Sequence, residues 1–332
     1  MLNVAIAGLG WWGKFILKAL EGNTKLSVVK AVDVNPAAGD AARAMGIGFT
    51  TRFDDVLADP EVRGVILCTP HLRHADQVVR SAAARKHVFC EKPLALTRAD
   101  AERAIAACNA NGVVLGIGHE RRFEPPMVEL QRLARSGELG TLLQVEANFS
   151  QDKFLTLPAD NWRLSSIDAP AGPMTATGVH LLDLSVSLLG PADHVLANVR
   201  QLGNNHLSNG DTLGAFVVFK SGANALISAI LATPFDGRLA VYGTDGWAEV
   251  RDNAHPETPE GWVLTKRRKG GRPERSEYAP THPVRENLEA FADAAAGGAP
   301  YPVPQGQMLD NIAALEAILE SAASGKIERV GS

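Results

Sequence analysis

Between Leu2 and about Gly118, short apolar runs alternate with segments of helical periodicity. The runs are LNVAIAG (2–8), LSVVKAVD (26–33), GVILCT (64–69), HVFC (87–90) and VVLGIG (113–118). Helical patterns fill the gaps over Trp12–Leu20, Pro36–Met45, Phe53–Ala58, Leu72–Ala84 and Arg98–Asn111. Runs this short, apolar at successive positions, predict strands covered on both faces. Their alternation with helices predicts a parallel, doubly wound α/β sheet.

After Arg121 the pattern changes. A helix over Pro126–Ser136 and a strand over Leu142–Phe149 precede a loop rich in Pro, Asp and Ser (residues 151–173). A helix about Gly178–Leu189 follows. Strands are then predicted over residues 195–201, 212–219, 224–231, 238–242 and 262–266, on short connections that favour antiparallel pairing. Helices over Pro283–Ala296 and Gln305–Ser324 finish the chain. The predicted division is therefore a dinucleotide-binding domain over residues 1–121 and a second domain over 122–332.

Composition narrows the function classes. The 332 residues are 45% hydrophobic and 21% charged, with a formal charge of −4. That balance suits a globular protein and gives no field favouring nucleic acid or an anionic membrane. No run approaches the roughly 18 apolar residues of a membrane span, and the N-terminus reads as a strand rather than a leader. Cys68, Cys90 and Cys108 lack disulfide-framework numbers and metal-ligand spacing. A cytoplasmic, metal-free protein is expected. The basic stretch KRRKGGRPER (266–275) carries Gly270–Gly271 between extended segments and no interleaved aromatics, so it reads as a solvated hairpin tip.

The first chemical motif is AIAGLGWWG. Gly8, Gly10 and Gly13 form G-x-G-x-x-G between a strand and a helix, with Trp11 and Trp12 inside the turn. In such a turn the first glycine permits the tight bend and the second lets a pyrophosphate approach the backbone. The third allows helix and strand to pack, leaving the helix N-terminal amides facing the phosphates. Asp33, twenty residues beyond Gly13, stands at the end of the second strand. There a carboxylate accepts hydrogen bonds from ribose hydroxyls and repels a 2′-phosphate, so NAD is expected ahead of NADP. Lys30 and Arg43 are the cations whose approach would reverse that preference.

The second constellation is CTPHLRH followed by HVFCEKP. Ligands of an open parallel sheet sit beyond the carboxyl ends of its strands, where Thr69–His71 and Glu91–Pro93 emerge. Lys92 is thereby expected on the cofactor side, its backbone restricted by Pro93. A lysine there can stabilise a developing alkoxide or polarise a carbonyl; position alone equally fits a solvated lysine in a strand-to-helix loop.

Five segments in order, GLGWWG, TPHLRHADQ, KHVFCEKPLALT, GHERRFEPPMVELQRLARSGELG and GVHLLD, resemble the glucose–fructose oxidoreductase/inositol dehydrogenase (Gfo/Idh/MocA) family. The resemblance implies a Rossmann domain followed by an α/β domain on a large, mostly antiparallel open sheet, and homodimers or homotetramers formed through that sheet. It implies NAD or NADP chemistry on sugars, polyols, cyclic diols or their keto forms. Lys92 matches the catalytic lysine and His180 the general base, while Thr69, Pro70, His71, His74 and Glu91 match positions lining the cofactor. His71 stands where asparagine is usual. Ala176 stands where an aspartate is usual, four residues before His180.

An imidazole at 180 titrates near the operating pH, as proton exchange with a hydroxyl requires. Asp183, three residues on, is read as its structural or orienting partner. Thr175 and Thr177 offer hydroxyls in place of the missing charge. Arg122, Trp162 and Arg163 are the expected substrate contacts, an indole stacking on a sugar face and a guanidinium clamping a carboxylate. The mechanism expected is hydride transfer on a small polyhydroxylated substrate, with Lys92 and His180 converging on one reactive atom. Two other classes share the pattern: a redox-neutral glycosidase that retains NAD, and a non-catalytic NAD(P)-sensing regulator.

Overall fold

A computed structural model of the protein describes residues 1–331. They gather into two compact units: Met1–Glu120 with His282–Met308, and Arg121–Thr281 with Leu309 onward. The division expected from the sequence was contiguous; the observed one is not, because residues 282–308 return to the first unit.

In that unit β1 (Leu2–Ala7), α1 (Trp11–Ala19), β2 (Leu26–Val32), α2 (Asp40–Ala44), β3 (Gly48–Thr50), α3 (Phe53–Leu57), β4 (Gly64–Leu67), α4 (His71–Ala83), β5 (His87–Cys90), α5 (Arg98–Asn111) and β6 (Leu115–Ile117) follow one another. Among the described residues the strands make a six-stranded sheet in the order β3-β2-β1-β4-β5-β6, every pairing parallel. Strand order reverses between β1 and β4, which opens a crevice at their carboxyl ends. β4 and β5 are almost wholly buried, as their unbroken apolar runs require. α5 shows how locally its ends are written. The Thr97 hydroxyl accepts the Asp100 N–H at 3.2 Å, and Gly112 closes the helix in the left-handed conformation.

The second unit contains α6 (Pro125–Arg135), β7 (Leu142–Ser150), α7 (Val179–Leu189), β8 (Ala192–Arg200), β9 (Thr212–Phe219), β10 (Asn224–Ile230), β11 (Asp236–Gly243), β12 (Gly246–Asp252), β13 (Trp262–Arg268) and β14 (Glu274–Tyr278). The chain then runs through α8 (Pro283–Ala295) to α9 (Gln305–Ser324) and β15 (Glu328–Arg329). Among the described residues a nine-stranded sheet runs β14-β13-β12-β11-β7-β10-β9-β8-β15. Only β7 and β10 pair in parallel; the other neighbours are antiparallel. Alternate residues of β9 and β10 are buried, giving one covered face and one open face. The basic stretch is the β13–β14 hairpin, turned at Gly270.

α8 completes the first unit's core. Leu288, Phe291 and Ala292 join Val4, Ile6, Ile16, Ile66 and Phe89 in one buried cluster, and the Phe291 ring meets Phe89 edge-on at 5.7 Å. Asn287 donates to the Ile117 carbonyl at 2.9 Å, and the Tyr301 hydroxyl accepts the Ile117 N–H at 3.2 Å.

The second unit turns on a buried ion triad. Arg121 Nη2 donates to both oxygens of Asp252 at 2.7 and 2.8 Å, and its Nε and Nη2 reach Glu124 at 3.2 Å. The three side chains are 1%, 1% and 0% exposed, so neither carboxylate has water to fall back on. Among the described residues no helix is long and apolar enough to cross a membrane.

Two expectations follow. Arg121→Ala strands two buried carboxylates and should cost about 3–5 kcal/mol, read from urea unfolding. Burial pushes His74 and His87 below the ordinary imidazole value of 6.5. Below that value the unfolded chain therefore binds more protons than the folded one, and stability is lost as pH falls. The thermal midpoint should drop steadily from about pH 6.5 to about pH 5, and less steeply in His87→Gln.

Candidate functional site

The glycine turn fits a dinucleotide. Gly8 has φ +91°, and a Cβ there would stand 2.6 Å from the Cys68 carbonyl. A Cβ on Gly13 would strike the Gly8 carbonyl, whereas one on Gly10 would meet nothing. The backbone is thus closed on the strand side and open at Gly10, where a phosphate needs room. α1 begins there without a side-chain cap or an acidic first turn, which suits an N-terminus that meets a phosphate. Asp33 Oδ2 accepts the Leu9 N–H at 2.7 Å and Oδ1 the Asn35 N–H at 2.8 Å. These bonds fix the carboxylate at the rim and leave it lone pairs for ribose hydroxyls. Lys30 is held by Asp59, and Arg43 by Asp40 and the Pro36 carbonyl.

Trp11 is half-exposed at the turn. The indole of Trp12 does not face outward: it stacks on Phe15 at 4.9 Å and packs on the core.

The strand ends beyond β4 and β5 are tied to each other through His74. Its Nδ1 lies 2.7 Å from the Pro93 carbonyl and its Nε2 2.8 Å from that of Thr69. Burial outweighs those two carbonyls, with the Lys92 charge adding to it, and lowers the imidazole pKa. The Thr69 hydroxyl donates to Gln77 at 2.5 Å, Pro70 precedes α4, and the buried His71 ring meets His74 edge-on. Glu91 is buried with its carboxylate over Gly118, where a side chain would collide with it. The Lys92–Pro93 peptide is cis, and Lys92 is half-buried between these fixed neighbours.

In the second unit His180 opens α7, 5% exposed, with its ring 6.1 Å from that of Phe149. The turn before it, Met174–Gly178, is π-helical, which alters the spacing that placed Ala176 one α turn below. Ala176 packs on the apolar cluster of Phe154, Leu164, Leu207 and Leu231. Thr175 donates to the Pro170 carbonyl at 3.2 Å and Thr177 to that of Pro173 at 3.3 Å, so both hydroxyls serve the backbone.

Arg122 Nε and Nη2 each donate to Asp183 at 2.6 Å, a buried two-pronged pair that ties α7 to the turn carrying Arg122. Arg163 stacks 4.3 Å over the Trp162 ring. Their loop is bolted from residues 206–209: Asn209 donates to the Arg163 and Ala169 carbonyls, Ser208 to Leu164 and His206 to Leu157.

Sequence reasoning missed a polar set around Phe149. The His255 ring lies 5.7 Å from Phe149 and 5.5 Å from Phe235, and it joins Gln151 to Lys153. Its one sequence signal is that Gln151 and Lys153 directly follow a strand end, where functional side chains concentrate.

Comparison with known proteins gives this geometry a lineage. Residues 2–119 match the family described as "Oxidoreductase family, NAD-binding Rossmann fold", and residues 127–249 match "GFO/IDH/MocA C-terminal domain". The inositol 2-dehydrogenase of Rhizobium meliloti is 30% identical over 78% of this chain and 78% of that protein. An uncharacterized oxidoreductase of Bacillus subtilis, YrbE, is 29% identical over 64% of this chain, a match spanning 61% of the relative. The aldose-aldose oxidoreductase of Caulobacter crescentus, whose crystal structure is complexed with glycerol, superposes with a TM-score of 0.86 at 27% identity, covering 99% of each chain. A glycine turn built for a pyrophosphate, a lysine fixed at the carboxyl edge of a parallel sheet, and two consecutive domain matches place this chain in the Gfo/Idh/MocA family of NAD-binding oxidoreductases.

Proposed function

We propose that the protein is an NAD-dependent dehydrogenase of a small, neutral polyhydroxylated substrate, a sugar or cyclic polyol. The observation that carries this reading is the seat of Lys92, held at the strand ends by the His74 bridge between Thr69 and Pro93. Gly10 and the leading amides of α1 would hold the pyrophosphate, and Asp33 the ribose hydroxyls. The nicotinamide, when bound, supplies or accepts hydride. Lys92 donates to the oxygen on the reacting carbon and stabilises its developing charge. His180 exchanges the hydroxyl proton. The preference for NAD is supported by Lys30 and Arg43 each being committed to its own carboxylate.

Neutrality of the substrate is supported by charge. Three cations of the second unit are already matched: Arg121 by Glu124 and Asp252, Arg122 by Asp183, Lys153 by Glu257. A substrate carboxylate would have to displace one of these partners.

We also infer self-association through the open face of the nine-stranded sheet. Leu196, Phe216 and Leu226 stand in register across β8, β9 and β10 and are 44%, 40% and 43% exposed. They line a shallow concavity of about 730 Å³ with Glu146, Asn148 and Arg238. An apolar row with a charged border suits a second copy of the same surface.

Three outcomes are expected. In an absorbance assay at the NADH band, neutral members of a panel of myo-inositol, D-xylose, D-glucose and D-glucuronate should turn over with NAD in preference to NADP. Preference for glucuronate would overturn the charge argument, and NADH binding with no turnover of any sugar or polyol would favour the regulator. Lys92→Ala should lower kcat by about 10²–10³-fold with NADH affinity nearly unchanged; undiminished turnover would remove Lys92 from the mechanism. By light scattering the parent should weigh at least two chains, and Phe216→Glu should shift it toward one.

A further inference from the structure

We propose that Lys153 is a substrate-binding residue that discriminates among polyols, and that His255 is the positioning residue that aims it. The inference rests on the reading of His180 given above. The Phe149 ring, at the end of β7, has the His180 ring 6.1 Å away and the His255 ring 5.7 Å away. Residues that follow β7 therefore start beside the imidazole assigned to proton exchange. Gln151 and Lys153 are the first long polar side chains there.

His255 fixes both. Its Nε2 donates to Gln151 Oε1 at 2.7 Å, while its Nδ1 accepts from the Lys153 ammonium at 2.9 Å and from the Glu257 N–H at 3.2 Å. Only the neutral ring with its proton on Nε2 satisfies this pattern. Burial, reinforced by the charges of Lys153 and Arg121, pushes the imidazole down to about 3, so the tautomer holds throughout the physiological range. The ammonium is thus aimed by two acceptors, His255 Nδ1 and Glu257 Oε2, the latter also at 2.9 Å.

A surface lysine has no such seat. This one is built from residues 102 and 104 positions away, with Phe235 set edge-on against the His255 ring. The Lys153 side chain remains 37% exposed and its charge is balanced by Glu257. An oriented donor without net local charge suits a hydroxyl, ether or carbonyl oxygen rather than a carboxylate.

The test uses the full chain and whichever neutral polyol of the panel above turns over fastest. Lys153→Met should raise KM by about tenfold to a hundredfold with kcat within about threefold, the loss of one charge-assisted hydrogen bond made equally before and during reaction. His255→Asn should raise KM less. The double variant should be no worse than Lys153→Met alone, a non-additivity that two independent packing defects would not produce. Lys153→Arg, which keeps a donor beside Glu257, should recover part of the loss. An unchanged KM in Lys153→Met, or a loss in step with a lowered thermal midpoint and not recovered by arginine, overturns the proposal. His180→Ala separates the two readings. If it abolishes turnover while Lys153→Met does nothing, only the role of Lys153 fails; if it turns over like the parent, the reading of His180 fails first and this proposal with it.

Discussion

A single buried imidazole, its two nitrogens 2.7 and 2.8 Å from the carbonyl oxygens of Pro93 and Thr69, ties together the strand ends beside Lys92. Two loops leave the carboxyl edge of the parallel sheet there, one after β4 and one after β5, and neither is regular. Without a shared partner each would sample its own conformations at an entropic cost of order 1–2 kcal/mol per residue on ordering. His74 makes them one object. Burial opposes protonation of the ring against the pull of the two carbonyls, and its neighbour Lys92 opposes it further.

The second unit follows a different rule, in which buried cations are matched before any ligand arrives. Arg121 is shared by Glu124 and Asp252, and Arg122 is held by both oxygens of Asp183. Such pairs contribute little net stability over apolar replacements, yet breaking one is costly. Their effect is therefore on geometry: β12 is tied to the start of α6, and α7 to the turn at residues 120–123. His180 rides on the second of these ties.

The parallel half was legible in the sequence because its central strands β4 and β5 are buried on both faces and read as unbroken apolar runs. β3 escaped notice, being three residues long with no buried position. β14, ERSEY, has no buried residue and so no apolar face to betray it, as suits a charged edge. The contacts of Arg122 and His255 were beyond reach for a different reason. Asp183 lies 61 positions from Arg122, and Lys153 lies 102 from His255, so the partners that define each side chain are set by tertiary folding alone. Ala176 was read as a missing charge; the apolar cluster around it shows what stands in its place.

The return of α8 has a consequence for biosynthesis. Phe89 emerges from the ribosome long before Phe291, yet the two rings close the same core. The first unit lacks one wall until α8 (Pro283–Ala295) has been translated. Local βαβ contacts can form early, but the closing contacts span some two hundred positions and are slow for that reason. The nascent Rossmann half thus keeps part of its apolar core unclosed throughout synthesis of the second sheet.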